Sequence, residues 1–338
     1  MLSPAQINII KSSTSMIAGA AYSSTPTHIQ EIATTVPMGE ASQLVLYWTG
    51  MLPKPRLWTG PRVVHEAAPQ SYVLVPKLFE ETLGIDQFEL SDTGGTGGLY
   101  WRNVPDLGRQ LKRQPDYWNR DLIEASGDYS STADQAGFDG LSYWNTAPPV
   151  DLYRAGAGTY SNDFTTISGS APTVTMAGQT ISVGGRFGLT ALATIREYMG
   201  TLKAEDGEPM NIVPDLLMYP TMLQMEVDTI LTAAYFSPPS FGTFTGQVGA
   251  VDNPGKRFGL RGIKNELLQD PTKYYVLDTT KAIKPFLHVV REATQMVSRL
   301  SPTDPIVFDE HKFLWGGWGR IAMGWGYSWL AARGGFGT

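Results

Sequence analysis

The stretch from Tyr47 to Asp86, YWTGMLPKPRLWTGPRVVHEAAPQSYVLVPKLFEETLGID, limits what this chain can fold into more than any other. Trp48-Thr49-Gly50 is echoed by Trp58-Thr59-Gly60 across a linker holding Pro53 and Pro55, a spacing that marks bends and not chemistry. Beyond Pro61, the runs Arg62-Val63-Val64-His65 and Tyr72-Val73-Leu74-Val75 flank the breaker Pro69, which predicts two strands joined by a short link. A two-stranded ribbon has little core of its own and is marginal in water. It has to lie against something else, most simply a neighbouring subunit.

The composition agrees with a covered surface. Charged residues make up 17% of the 338, against about 25% in an ordinary soluble domain. Aromatics reach 11%, and interface cores are depleted in Lys and Glu and enriched in Trp and Tyr. A loop-rich β protein would share this composition. The net charge of −6 argues against a grip on nucleic acid, which needs Lys and Arg to neutralise phosphate. Arg109, Lys112 and Arg113 share one helical face, which reads as a solvated or subunit-facing stripe. With no cysteine, neither disulfides nor thiolate metal sites are available. No basic leader and no run of about 18 apolar residues is present, so the expectation is a protein made and used in a cytoplasm, with no membrane partner.

Along the chain, Ser3, Pro4 and Gln6 predict a short helix through Ile10. Ser12 to Thr35, rich in Ser, Thr and Ala with little periodicity, reads as an arm that partner subunits order. Thr93-Gly94-Gly95-Thr96-Gly97-Gly98 reads as a hinge at Gly94, Gly95, Gly97 and Gly98. It lacks the Lys of a phosphate-binding loop. Val104–Gln114 predicts one helix with Pro105 at its start, and Pro115 begins a second that stops at Gly127. Asp151–Gln179 reads as exposed loop. Leu189, Leu192, Ile195, Met199 and Leu202 predict an amphipathic helix whose stripe is core, and Met222–Phe236 another. Ser237–Gly255 is an insertion expected at a subunit contact. Strands are expected at Arg257–Ile263, Lys273–Asp278, Phe286–Val297 and Phe313–Leu330. In the last, Trp325, Tyr327 and Trp329 alternate with small residues, which places them on one face for packing against a closely approaching element. A sugar-stacking platform is the other reading of that face.

Catalytic constellations do not emerge. His28, His65, His288 and His311 lie far apart and outside any metal spacing. No G-x-S-x-G elbow exists. The pairs Glu80-Glu81 and Glu205-Asp206 fall in arm and turn positions, and nothing points to a facing pair across a cleft. The chain reads as a non-enzyme with no cofactor and no metal.

The sequence does carry a resemblance. Y-W-x-G-x-L-P from Tyr47, R-x-W-x-G-x-R from Arg56 and Y-x-L-x-x-K-x-F-E-x-T-x-G-I-D from Tyr72 resemble the major head subunit family of Mu-like phages and prophages. The similarity continues through Pro105-Asp106-Leu107-Gly108, Gln114-Pro115-Asp116 and Gly137-Phe138-Asp139-Gly140. It resumes at Pro214-Asp215-Leu216-Leu217, Pro220, Tyr274-Tyr275-Val276-Leu277-Asp278 and Lys284-Pro285-Phe286. Two departures stand out: Pro76 replaces the Asn usual before the Lys matching Lys77, and Pro148 and Pro149 lie where the family tends to carry His.

The resemblance implies an α+β tailed-phage capsid fold of the Hong Kong 97 type. Laid on this chain, it gives an N-terminal arm (1–46), an extended loop (47–92), a peripheral domain with a spine helix (93–150 plus strands within about 281–325) and an axial domain (151–280 plus about 326–338). The implied function is a major capsid protein, assembling in the bacterial cytoplasm as pentamers and hexamers into an icosahedral virion shell that encloses double-stranded DNA without reading its sequence. The implied partners are other copies, a separate scaffolding protein and a portal, with a decoration protein left open. Trp48, Trp58, Arg62, Tyr72, Lys77 and Phe79 are the expected subunit contacts. Lys54 and Lys77 are candidates for a Lys–Asn cross-link by location only. The alternatives are a phage-derived nanocompartment shell and a glycan-binding or glycan-cleaving β protein.

Overall fold

The computed structural model describes residues 4–39, 43–48, 57, 70–88, 100–150, 158–165, 173–176, 179–182, 187–204, 207–233, 235–236, 251–301 and 304–335. The principal elements, in chain order, are α1 (Pro4–Ser24), β1 (Ala33–Pro37), β2 (Leu44–Trp48), β3 (Gln70–Leu74), β4 (Lys77–Asp86), α2 (Tyr100–Glu124) and β5 (Asp163–Phe164). They continue as α3 (Leu189–Thr201), β6 (Leu216–Tyr219), α4 (Gln224–Thr232), β7 (Arg261–Lys264), β8 (Lys273–Leu277), β9 (Phe286–Arg299), β10 (Lys312–Trp325) and β11 (Ala331–Gly335).

Two sheets organise the chain. The first has the order β1-β9-β10-β4, with β9 and β4 antiparallel to β10 and β1 parallel to β9. The second has the order β7-β6-β8-β11-β5. Its period of two serves two cores at once. Leu216, Met218, Tyr275, Leu277 and Ala331 point into the core shared with the first sheet and α2. Leu217, Tyr219, Tyr274, Val276 and Ala332 point the other way, to α3 and α4. There Leu192, Ile195 and Met199 of α3 are buried as their spacing predicts, with Val227 and Ile230 of α4. Among the described residues no helix is long and apolar enough to cross a membrane.

Helix α2 is one continuous 25-residue helix with Pro105 and Pro115 inside it, not two helices meeting at Pro115. Each proline removes a backbone donor, a cost near 3 kcal/mol in a helix interior. Burial offsets it: Val104, Leu107, Leu111, Trp118 and Leu122 form one stripe against the first sheet on both sides of Pro115. The sheet is shaped to receive them. A side chain at Gly317 of β10 would collide with Leu111, and one at Gly319 with the ring of Phe79.

The N-terminal segment also departs from expectation. α1 runs to Ser24 and packs on α2 of its own chain. Ala18, Ala21 and Thr14 are buried there, and Thr14 Oγ1 accepts a 2.9 Å hydrogen bond from Trp315 Nε1. The carboxylate of Asp116 on α2 then accepts from the amides of His28 (3.1 Å) and Ile29 (2.9 Å), fastening the chain before β1. The contact is made by small residues, which leave no apolar periodicity in sequence.

Two further expectations change. Within Asp151–Gln179, residues 162–164 are buried, and Asp163 pairs with Arg333 of β11 at 2.5 Å, so this part is sheet and not exposed loop. The final predicted strand stops at Trp325, where the Gly326 amide donates to the Pro285 carbonyl (2.8 Å) and turns the chain. Trp325 is therefore separated from Tyr327 and Trp329, which stack on each other at 4.4 Å and meet Phe138 edge-on. All three pack, as expected, but not as one strand face.

A side chain at Gly108 would overlap the Ala18 carbonyl. We expect Gly108→Ala to push α1 from α2, lowering stability by about 1–3 kcal/mol. Chemical denaturation would measure the loss, and proteolysis should cut first within residues 4–24.

Candidate functional site

Val75-Pro76 joins β3, which pairs with β2 at the root of the ribbon, to β4, which pairs with β10. The strand expected at Tyr72–Val75 is thus present as β3, but its partner among the described residues is Leu44–Trp48. Residues 62–65 lie outside the described residues. Alternation along β3 sends Tyr72 and Leu74 inward with Pro76, and exposes Val73, Val75 and, past the bend, Leu78.

The inward residues fasten the ribbon's root. Tyr72 Oη accepts the Trp325 amide at 3.1 Å, and Gly324 leaves the space that Leu74 fills. The Lys77 ammonium lies 3.8 Å above the Tyr129 ring, 3.5 Å from Asp134 Oδ2, and donates to the Asp128 carbonyl. Tyr129 Oη accepts the Met323 amide at 2.9 Å. The indole of Trp118 donates to Asp128 Oδ2 and that of Trp325 to the Asp134 carbonyl, each at 2.9 Å. Phe79 meets Trp118 edge to face at 5.6 Å. Burial pushes both phenols well above the usual tyrosine range, and the Asp134 carboxylate adds to this, so they stay protonated.

The expected contact residues divide accordingly. Tyr72 and Phe79 lie in the chain's own core, and Lys77 engages Asp134 and Tyr129 of the same chain. Trp48 ends β2 opposite Gln70. Trp58, Arg62, Lys54 and the hinge glycines Gly94, Gly95, Gly97 and Gly98 lie outside the described residues. Sequence reading missed Asp128, Tyr129, Asp134 and Trp118 as the seat of the ribbon. The available signal was Lys77 itself, a cation directly after Pro76 that needs a counter-charge once the strand is half-buried. Among the described residues no three metal-ligating side chains come together.

This architecture, a long helix on an elongated sheet with the β2–β3 pair packed on the same core and a second sheet beside it, is the fold of tailed-phage capsid proteins. Solved structures similar to the chain include the procapsid of bacteriophage JBD30, with TM-score 0.52 and 19% identity over 100% of this chain and 77% of that one. The capsid of cyanophage P-SCSP1u gives TM-score 0.53 and 8% identity over 93% and 89%. The capsid of a native GTA particle gives 0.51 and 11% over 95% and 91%. The profile of the family described as Mu-like prophage major head subunit gpT matches residues 7–176 and 258–334. The chain belongs to that family and is a major capsid protein, a structural component of the virion head. No curated protein matches it.

Tyr72→Phe leaves the buried Trp325 amide without its acceptor. We expect a loss of about 1–3 kcal/mol in the denaturation of the unassembled protein. An unchanged midpoint with failed assembly would return Tyr72 to the surface.

His288 on β9 is half-buried, and its Nε2 is buried with no partner among the described residues. Burial, with Lys112 nearby, pushes its imidazole down to about 4. The unfolded imidazole binds its proton near pH 6.5, so stability from neutral His288 is complete above that pH. It is lost as pH falls toward 4, by roughly 3 kcal/mol. Asp116, whose pKa burial raises, slopes the opposite way. Subtracting a His288→Phe variant's stability curve between pH 7 and 4 should isolate the histidine part, and parallel curves would refute it.

Proposed function

We propose that the chain forms pentamers and hexamers that close into an icosahedral shell around double-stranded DNA. On this reading the first sheet with α2 is the peripheral domain and α2 its spine. The second sheet with α3 and α4 is the axial domain, and residues between β2 and β3 form the extended loop. Assembly takes place in the host cytoplasm with a separate scaffolding protein and a portal. The observation that carries the reading is the ribbon: its root is fixed to the body by Tyr72, Leu74 and Lys77, while Val73 (45% exposed), Val75 (58%) and Leu78 (62%) face outward. A fixed root with an unburied apolar outer face is a lever held ready for a neighbour. The net charge of −6 fits a container that does not grip its cargo.

Because Trp48 and Gln70 are directly opposed, residues 49–69 can be replaced by a two-residue turn without disturbing the root. We expect this variant to keep the parent's melting temperature within a few degrees, and to elute as a monomer or small oligomer where the parent forms shells. Normal particles by electron microscopy would overturn the role given to the ribbon.

A further inference from the structure

We propose that the first sheet of one subunit is continued by that of a second copy, the open edge of β4 taking the open edge of β9 over Gln295–Arg299. The inference rests on the shell reading and names a contact within it. β4 is the outermost strand, and among the described residues no strand pairs with its far side. On the opposite edge β1 covers β9 only through Phe286–Val290. The register of β9 breaks between Val290 and Glu292 and again between Glu292 and Gln295, which leaves Gln295–Arg299 as its regular part with no strand on the outer side among the described residues.

Long open edges are templates for pairing, and proteins that stay monomeric blunt them with prolines, bulges or short strands. β4 is neither short nor bulged and holds no proline: ten residues pair with β10 in unbroken register, and charge is the only such device it carries. What it carries instead is acid, Glu80 and Glu81, and this selects the partner. A second copy of β4 offers Glu80 and Glu81 no cation except Lys77, which its own Asp134 already holds. Residues 295–299 of β9, Gln-Met-Val-Ser-Arg, hold no acid and end on a cation.

The faces and directions match as well. Phe79 points to Trp118 on α2, so Leu78 and Glu80 lie on the sheet's other face. Val297 is opposite Gly316 and Arg299 opposite Leu314, which in turn face Thr82 and Gly84, so Val297 and Arg299 share the face of Leu78 and Glu80. β4 and β9 are both antiparallel to β10 and therefore run the same way. A copy set edge to edge with the same face outward pairs in parallel, and the register that puts Val297 beside Leu78 also puts Arg299 beside Glu80. The first pair is apolar and more than half exposed on each side, at 53% and 62%. The contact is heterologous, as a ring or shell of identical subunits requires.

The absence of native cysteine makes the test clean. Within one chain Leu78 and Val297 are two strands and four residues apart, roughly 15 Å, too far for a disulfide. Particles of the Leu78→Cys/Val297→Cys variant, oxidised and denatured without reductant, should give a ladder of covalent multimers, while each single variant gives monomer. A monomer band from intact particles of the double variant, or equal dimers from a single variant, would overturn the proposal. Independently, Glu80→Arg and Arg299→Glu should each lower particle yield about fivefold and together restore it. Additive loss would overturn the pairing even with particles present. If the unmutated chain forms no particles at all, the shell reading falls and this contact with it.

Discussion

Trp325 is the point through which the parts of this subunit are tied. It is fully buried at the end of β10, its backbone amide donates to Tyr72 at the ribbon's root, and its indole donates to the Asp134 carbonyl. Its ring stacks on Tyr143 at 4.0 Å and meets Trp144 edge to face, and Trp144 in turn lies against Tyr275 of the second sheet. One side chain therefore couples the ribbon, the loop after α2, the first sheet and, through one neighbour, the second. Because interiors are close-packed, a shift at any of these places is felt at the others. A chain without cysteine that has to bear load between sheets needs such a joint.

The glycines of β10 and of the turn after it supply the complementary condition. Gly317 and Gly319 let α2 and Phe79 approach, Gly324 admits Leu74, and Gly326 passes beneath the Pro285 backbone. In a strand interior glycine is entropically unfavourable and contributes no packing of its own. Here the close approach of large neighbours offsets that cost, so a 14-residue strand becomes a track on which helix, ribbon and turn all seat.

What the sequence could reveal follows from how each contact is made. Elements held by large apolar side chains at regular spacing were legible: α3 from Leu192, Ile195 and Met199, and β8 and β9 from their β-branched and aromatic runs. Elements held by small residues or single polar groups were not. α1 meets α2 through Ala18 and Gly108, and the turn before β1 is fixed by Asp116, none of which alters hydrophobic periodicity. The prolines of α2 gave a true local signal that tertiary burial overrode. At the ribbon, sequence identified the segment but not the partition of its residues. Tyr72, Lys77 and Phe79 look like interface residues because aromatic and cationic side chains suit interfaces and buried joints equally well, and sequence alone does not show that Asp134, Tyr129 and Trp118 meet them within the chain.

That partition bears on how one sequence could occupy non-equivalent positions in a shell. A ribbon rooted by Lys77 between Tyr129 and Asp134, and by Tyr72 on the Trp325 amide, cannot pivot at Val75-Pro76 without breaking several buried contacts together. Losing Tyr72 would leave the buried Trp325 amide without its acceptor, at about 1–3 kcal/mol, and the half-exposed Lys77 pair adds about 1 kcal/mol or less. A stiff root would pass a neighbour's pull directly into β10, and through Trp325 into both cores.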